Sequence, residues 1–422
     1  MSTALPSYEQ AAAQVADFAA RLRLTRPAVE RVELAAAAGR VMARPLYADC
    51  DQPPFARSTR DGFACHAREA STHAALPVAG ATRAGQPPDG PLPRGAAWEI
   101  MTGAPVPDGA DAVMMIEHVE CGGGTVRLLP QRKLEPGENI VARGAQARTG
   151  DELLPAGAAI GFGQIALAAS CGYGALEVFV RPRVAILSTG DELVAIEAEL
   201  RGGQIRNSNS PMLATMVAEA GGEPMVLPTA ADSASALDES LARAAGADML
   251  LITGGVSAGK FDLVEPALAR AGARFHFTGV RIQPGKPLVF GERPRSGDAE
   301  GGRSTQPFFG LPGNPVSSAV TFLLFGAPVL AALGGRRDGG PRFALARLSA
   351  APERRPRTGL TRFLPALCTF GTPVGVSPEV ALVPWQGSGD LAALARSNCF
   401  LVLPDDDHQP LDAGAMVRIL LS

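Results

Sequence analysis

Lysine is nearly missing from this 422-residue chain: only Lys133, Lys260 and Lys286 stand among its 39 Lys and Arg residues. Arginine therefore serves wherever a generic cation will do, and the two lysines kept in glycine-rich loops, Lys260 and Lys286, mark places suited to a compact, flexible ammonium. Cysteine is sparse too. The six, at 50, 65, 121, 171, 368 and 399, form no CxxC, and the five histidines form no HxxxH pair. That argues against a zinc site and for a reducing compartment. The net charge is −3, with 46% hydrophobic and 19% charged residues, so no excess of either sign points to nucleic acid or a membrane surface. The opening MSTALPSYEQ lacks the basic start and apolar core of a signal peptide, and a cytoplasmic location is expected. No clean membrane-length apolar run occurs. Residues 153–176 are broken by Pro155 and five glycines, while 319–333 is too short and holds Gly326 and Pro328. Both read as core.

What is present begins with two apolar runs that stop abruptly. Residues 248–262, DMLLITGGVSAGKFD, carry Met249, Leu250, Leu251 and Ile252 into Thr253, Gly254 and Gly255, as a buried parallel strand would. Residues 184–193, VAILSTGDEL, do the same into Ser188, Thr189 and Gly190, followed by Asp191 and Glu192. One such glycine turn is only a turn. Two strand ends that combine hydroxyl, glycine and carboxylate suit an oxyanion with Mg²⁺ beside it, because Mg²⁺ takes one or two carboxylates and leaves its other positions to water and phosphate.

The chain is long enough for two to four domains. Residues 7–23 read as a helix with Tyr8, Ala11, Ala12, Val15, Phe18, Ala19 and Leu22 on one face, and 29–44 also reads as helix-compatible. Residues 49–65 hold too many prolines and polar residues for a regular element and read as an ordered loop that presents Asp61 or simply turns at Asp61-Gly62. From 76 to 148 the pattern is all β, with Thr102-Gly103 after one strand. A helix is expected over 163–169. Strands and helices then alternate from 181 to 333, which predicts a doubly wound, mostly parallel sheet with helices capped by Ser210, over 233–245, and over 263–271 with Asp262 at its N-cap. Asp262 there is favourable towards the helix dipole whatever else it does. Two loops follow, Gln283 to Pro287 around Lys286, and Leu311-Pro312-Gly313-Asn314-Pro315, where Pro315 opens a helix whose first amides, on Val316, Ser317 and Ser318, would be free for an anion. The Arg-rich, β-like remainder reads as a solvated basic face without the aromatic interleaving of a nucleic-acid binder.

Taken together, PPFARSTRDGFA, IMTGAPVP, GENIVARG, STGDEL, TGGVSAGKFD, QPGKP, LPGNPVSSAVTF and GSGDLAALARSNCFLVLP resemble, in order and along nearly the whole chain, the MoeA family of molybdopterin molybdenumtransferases. The resemblance implies an α/β multi-domain protein. Segments 1–27 and 181–333 would form a molybdopterin-adenylyltransferase-like domain, 28–48 and 147–180 a linking and dimerisation domain, 49–146 a β-rich domain and 334–422 a β-barrel-like domain. It further implies a cytoplasmic homodimer that converts adenylylated molybdopterin and molybdate to molybdenum cofactor with Mg²⁺-dependent release of AMP. A molybdopterin adenylyltransferase or an apo-molybdoenzyme would be a partner, with neither nucleic acid nor membrane involved. Carried over by motif, Asp61, Glu192 and Asp262 would be catalytic, and Glu192, Asp232 and Asp262 would hold Mg²⁺. Ser188, Thr189, Gly190, Thr253, Gly254, Gly255, Ser257, Pro312, Gly313, Asn314 and Pro315 would surround pterin or phosphate, with Thr102 and Lys286 on oxyanions such as molybdate. Asp61 would come from the other subunit. The chain departs from the family at Ala56 and Lys260, where acids are usual, at Arg60 for methionine, near Val141, where an arginine is missing, and near Gln146, where an acid is missing. Two other readings follow: an adenylyltransferase using Mg-ATP, and a carrier that binds molybdopterin nucleotide without turnover.

Overall fold

The structure, a computed structural model, describes residues 4–25, 27–255, 263–295, 304–351, 359–369, 377–405 and 411–422. At its centre are a six-stranded sheet and the helices on both its faces. We number these elements α1 (Tyr8–Leu22), β1 (Arg183–Ser188), α2 (Asn209–Glu219), β2 (Glu223–Val226), α3 (Ala234–Arg243), β3 (Met249–Thr253), α4 (Val264–Arg270), β4 (Arg274–Thr278), β5 (Val289–Pro294), β6 (Thr305–Leu311) and α5 (Pro315–Thr321). The spatial order is β2-β1-β3-β6-β5-β4, with β5 alone running against the others.

The continuous apolar runs of β1 and β3 are explained by what each face meets. Val184, Ile186, Met249 and Leu251 pack with α1, α2 and α5 on one side. Ala185, Leu187, Leu250 and Ile252 pack with α3 and α4 on the other. With both faces covered, no polar alternation is tolerated. α1 joins the first layer although it lies far away in sequence. Ser7 caps it by accepting from the Gln10 amide while the Gln10 side chain accepts from the Ser7 amide, a capping box, and Tyr8, Ala11, Val15, Phe18, Ala19 and Leu22 are buried. The antiparallel pair β5 and β6 is fastened by Phe290 stacked on Phe309, with ring centroids 4.6 Å apart.

Beyond α5 the chain runs through a π turn (Phe322–Gly326) into the helix Ala327–Leu333. The whole run, Pro315–Leu333, is longer than the sequence suggested, and 19 residues are enough to cross a membrane. However, 89% of its apolar window is buried inside the protein. The strands Phe343–Leu348, Thr361–Thr369, Glu379–Leu382, Cys399–Leu403 and Met416–Leu421 then close a five-stranded barrel, because Thr361–Thr369 pairs with both Glu379–Leu382 and Cys399–Leu403. Phe363, Phe400, Val402 and Leu420 of the barrel join the core of the α/β layer, so the two share one apolar interior.

The β-rich unit is a second six-stranded sheet, in the order Ala112–Met115, Gly62–Cys65, Ala97–Ile100, Leu76–Thr82, Thr125–Leu128 and Val119–Gly122. Gly62–Cys65, expected as the end of a loop, is a central strand of this sheet. A Cβ on Gly62 would lie 1.9 Å from the Met114 carbonyl oxygen, so only glycine lets the strand start so close to its neighbour. The helix anticipated over 29–44 is also replaced. Val29–Glu33 is a strand antiparallel to Ala175–Phe179, followed by one 3₁₀ turn, Leu34–Ala36. Pairing with a strand distant in sequence outweighs the local helix propensity of that segment. The helix expected over 163–169 is present as Phe162–Ser170.

Candidate active site

β1 leads outward to β2, whereas β3 lies beside β6 on the other flank, so the order reverses between the carboxyl ends of β1 and β3, where open α/β sheets take their ligands. The loops leaving these two ends are bound to each other: the Thr189 amide donates to the Thr253 carbonyl at 3.0 Å. Gly254 makes this approach possible. Its φ is +92°, and a Cβ there would lie 2.3 Å from the Thr189 carbonyl oxygen. A third loop, 312–315, is tied in by Asn209, whose Nδ2 donates to Thr253 Oγ1 (2.9 Å) and to the Gly313 carbonyl (2.6 Å).

These loops enclose a cavity of about 740 Å³. Thr189, Gly190, Glu192 and Asp232 line it on the β1 side, and Thr253, Gly254 and Gly255 on the β3 side. Pro312, Gly313, Asn314 and Pro315 close the far wall. Thr189 Oγ1 donates to Asp232 Oδ1 at 2.7 Å, and the Asp232 amide donates to Asp191 Oδ1 at 3.0 Å, so Asp191 positions Asp232 rather than facing the cavity. Glu192 folds back over Gly190, where a side chain would collide with its carboxylate. Glu192 and Asp232 are the acids on this wall, and among the described residues no group of three His, Cys, Asp or Glu gathers for a metal.

A smaller cavity of about 400 Å³ adjoins the first, with Pro287, Pro312 and Asn314 in the wall of both. Lys286 lines it together with Arg362, Trp385 and Ser388, so two cations face one small space. Asn314 Nδ2 donates to Ser388 Oγ at 2.9 Å, which joins the barrel to the α/β loop.

Several expected ligand contacts are placed elsewhere. Ser188 is fully buried and shares a hydrogen bond with Ser210 Oγ at 2.8 Å. Ser210 is not the cap of α2 either; it sits inside the first turn, where its amide donates to Asn207 Oδ1 at 3.1 Å. The amides expected to hold an anion are partly spent. Val316 donates to Ser388 O and Ser318 to Asn314 O, both at 3.0 Å, while the Gly254 amide turns to Leu311 O at 3.4 Å. Ser257, Lys260 and Asp262 lie outside the described residues. Asp61 and Thr102 do come together, but in the β-rich unit and outside either cavity: the Thr102 amide donates to Asp61 Oδ1 at 2.6 Å. That bond, then one from the Thr102 side chain, holds the Asp61 carboxyl below its ordinary range. The substitution at Arg60 leaves this pair in place.

Sequence reasoning missed the segment 206–209. Arg206, Asn207, Ser208 and Asn209 all line the larger cavity, with Leu200, Ile205 and Leu391 as apolar parts of its wall. The available signal was a polar cluster just ahead of a helix. It also passed over Arg362 and Ser388, although Ser388 falls within a recognised motif.

Three family models tile the chain: the MoeA N-terminal region (domain I and II) over residues 6–172, a probable molybdopterin binding domain over 185–332, and the MoeA C-terminal region (domain IV) over 348–421. A molybdopterin molybdenumtransferase of Nostoc sp. is 36% identical over 390 residues, covering 89% of this chain and 85% of that protein. One of Haemophilus influenzae is 32% identical over 396 residues, covering 92% and 93%. The crystal structure of a molybdopterin biosynthesis MoeA protein from Pyrococcus horikoshii OT3 superposes with a TM-score of 0.78 at 28% identity, covering 99% of this chain and 100% of that one. With whole-length relatives above 30% identity and a shared architecture, the chain belongs to the MoeA family of molybdopterin molybdenumtransferases.

Proposed function

We propose that this protein inserts molybdate into adenylylated molybdopterin and releases AMP. The observation that carries this reading is the pair of adjoining cavities at the switch point. The larger has room for a nucleotide joined to a pterin, and the smaller presents Lys286 and Arg362 as an oxyanion would require. Mg²⁺ fits the donor set in the way it usually binds beside phosphate, on Glu192 and Asp232 with substrate oxygens and water completing its shell, and it would neutralise diphosphate charge. The Thr189 hydroxyl fixes one oxygen of Asp232, which leaves Oδ2 to orient water or metal.

Asp61 and Thr102 lie outside both cavities, so in this reading a second copy supplies them, and the working unit is a homodimer in the cytoplasm. Segments 28–48 and 147–180 would connect its halves.

The test is AMP release from adenylylated molybdopterin, with Mg²⁺ and molybdate present or withheld, alongside activation of an apo-molybdoenzyme. Wild-type protein should need both additions. Asp61→Asn and Glu192→Gln should each lose most of the activity while keeping the wild-type melting temperature, and mixing the two variants should restore part of it through one intact shared cleft. Tight binding without turnover in the wild type would refute the transferase assignment in favour of a carrier. Consumption of ATP with unadenylylated molybdopterin would favour an adenylyltransferase.

A further inference from the structure

We propose that Trp385 is a binding residue of the smaller cavity, its indole N–H donating to an oxygen of a tetrahedral oxyanion held there by Lys286 and Arg362. This rests on the reading of that cavity as the oxyanion site of the transferase.

The chain has two tryptophans, and the fold treats them differently. Trp98 is 6% exposed, and its Nε1 donates to Thr82 Oγ1 at 2.7 Å, as a buried indole ordinarily does. Trp385 is half-buried, and it packs against both the core of the α/β layer and the core of the barrel. Among the described residues no acceptor meets its Nε1, and that nitrogen is not sealed away from solvent either. A ring fixed on two cores is thus left in the wall of the smaller cavity with its single donor open and unspent. The loop that carries it is held as well. Asp390 accepts from the Gln386 and Ala393 amides, both at 2.9 Å, and the Ser388 carbonyl accepts from the Val316 amide at 3.0 Å.

The charge of the cavity decides what this donor meets. Lys286 and Arg362 in the same wall call for an anion, and every oxygen of molybdate is an acceptor. An ammonium is a compact charge on a flexible stem, so Lys286 attracts the anion without setting its direction. The indole N–H on a fixed ring is directional. It takes one oxygen and so orients the anion within the cavity, as a preorganised donor should.

The test reads the indole itself. In full-length protein labelled with ¹⁵N-tryptophan, the two indole N–H groups give two signals, and the one missing from Trp385→Phe belongs to Trp385. Molybdate should move that signal downfield and leave the Trp98 signal in place. By titration calorimetry Trp385→Phe, which keeps a ring on the two cores, should bind molybdate roughly tenfold or more weakly, the loss of one hydrogen bond to a charged group, with its AMP affinity and melting temperature unchanged. An unmoved Trp385 signal in wild-type protein that calorimetry shows to bind molybdate would overturn the proposal, whether or not the variant folds. Wild-type molybdate affinity in Trp385→Phe would overturn it too, as would equal loss of molybdate and AMP affinity in a folded variant, the mark of loop support alone. No molybdate binding by the wild type would overturn the reading of the cavity itself, and this assignment with it.

Discussion

Gly254→Ala should separate the two strand-end loops without disturbing the apolar core beneath them. At φ +92° a non-glycine residue costs about 1–3 kcal/mol of backbone strain. The added methyl would also lie 2.3 Å from the Thr189 carbonyl oxygen, which is backbone and cannot swing aside. Thr189 is held in turn by its amide bond to Thr253 and its hydroxyl bond to Asp232, at 3.0 and 2.7 Å, so any retreat stretches both. Overpacking of this kind costs roughly 1–3 kcal/mol more. A total of roughly 2–6 kcal/mol placed at the cavity floor lowers ligand affinity by roughly thirtyfold or more where the ligand needs the undistorted loops. The assay is AMP titration by calorimetry beside a thermal melt. Gly163→Ala is the control: it lies in the helix Phe162–Ser170 with open space where its Cβ would be, so it should raise the melting temperature slightly or leave it unchanged. Wild-type affinity in Gly254→Ala would refute the claim that these loops touch the ligand, and wild-type stability would refute the packing argument.

Two further outcomes test the interior. Arg293 is 5% exposed, burial brings its pKa down to about 10, and its guanidinium donates to Gln306 Oε1 (2.7 Å) and the Leu241 carbonyl (2.9 Å). Arg293→Met leaves both acceptors without that donor, at about 1–3 kcal/mol for each one left unpaired, and should lower the melting temperature by several degrees; an unchanged melt would show that Arg293 is dispensable to the α3–β5–β6 junction. Thiol labelling at neutral pH should modify exposed Cys121 first, while Cys65 and Cys399, whose thiols burial pushes up to about 12, should react only on unfolding. Early labelling of either, read by mass spectrometry of peptides, would contradict the packing of the two β units.

The expectations that succeeded share a cause. In β1 and β3 the apolar run, the hydroxyl and the glycine are adjacent in sequence, and the constraint that selects them, burial on both faces followed by a tight turn, acts over the same few residues. The expectations that failed lack this locality. Val29–Glu33 reads as helix until Ala175–Phe179 pairs with it, and Gly62–Cys65 reads as loop until Met114 lies beside it. Ser188 reads as a ligand contact and Ser210 as a helix cap in sequence, but their hydroxyls meet each other in the interior.

By itself, then, the sequence determined the family, the alternating α/β layer and most of the residues around the larger cavity, because motifs and periodicity are short-range properties. Tertiary structure alone decided which amides are spent on Ser388 O and Leu311 O, that Asn209 ties two distant loops, that Arg362 of the barrel joins Lys286, and that Asp61 and Thr102 pair outside the cavity. Each of these depends on groups brought together across tens or hundreds of residues, and no local pattern encodes which polar atom a distant segment will reach.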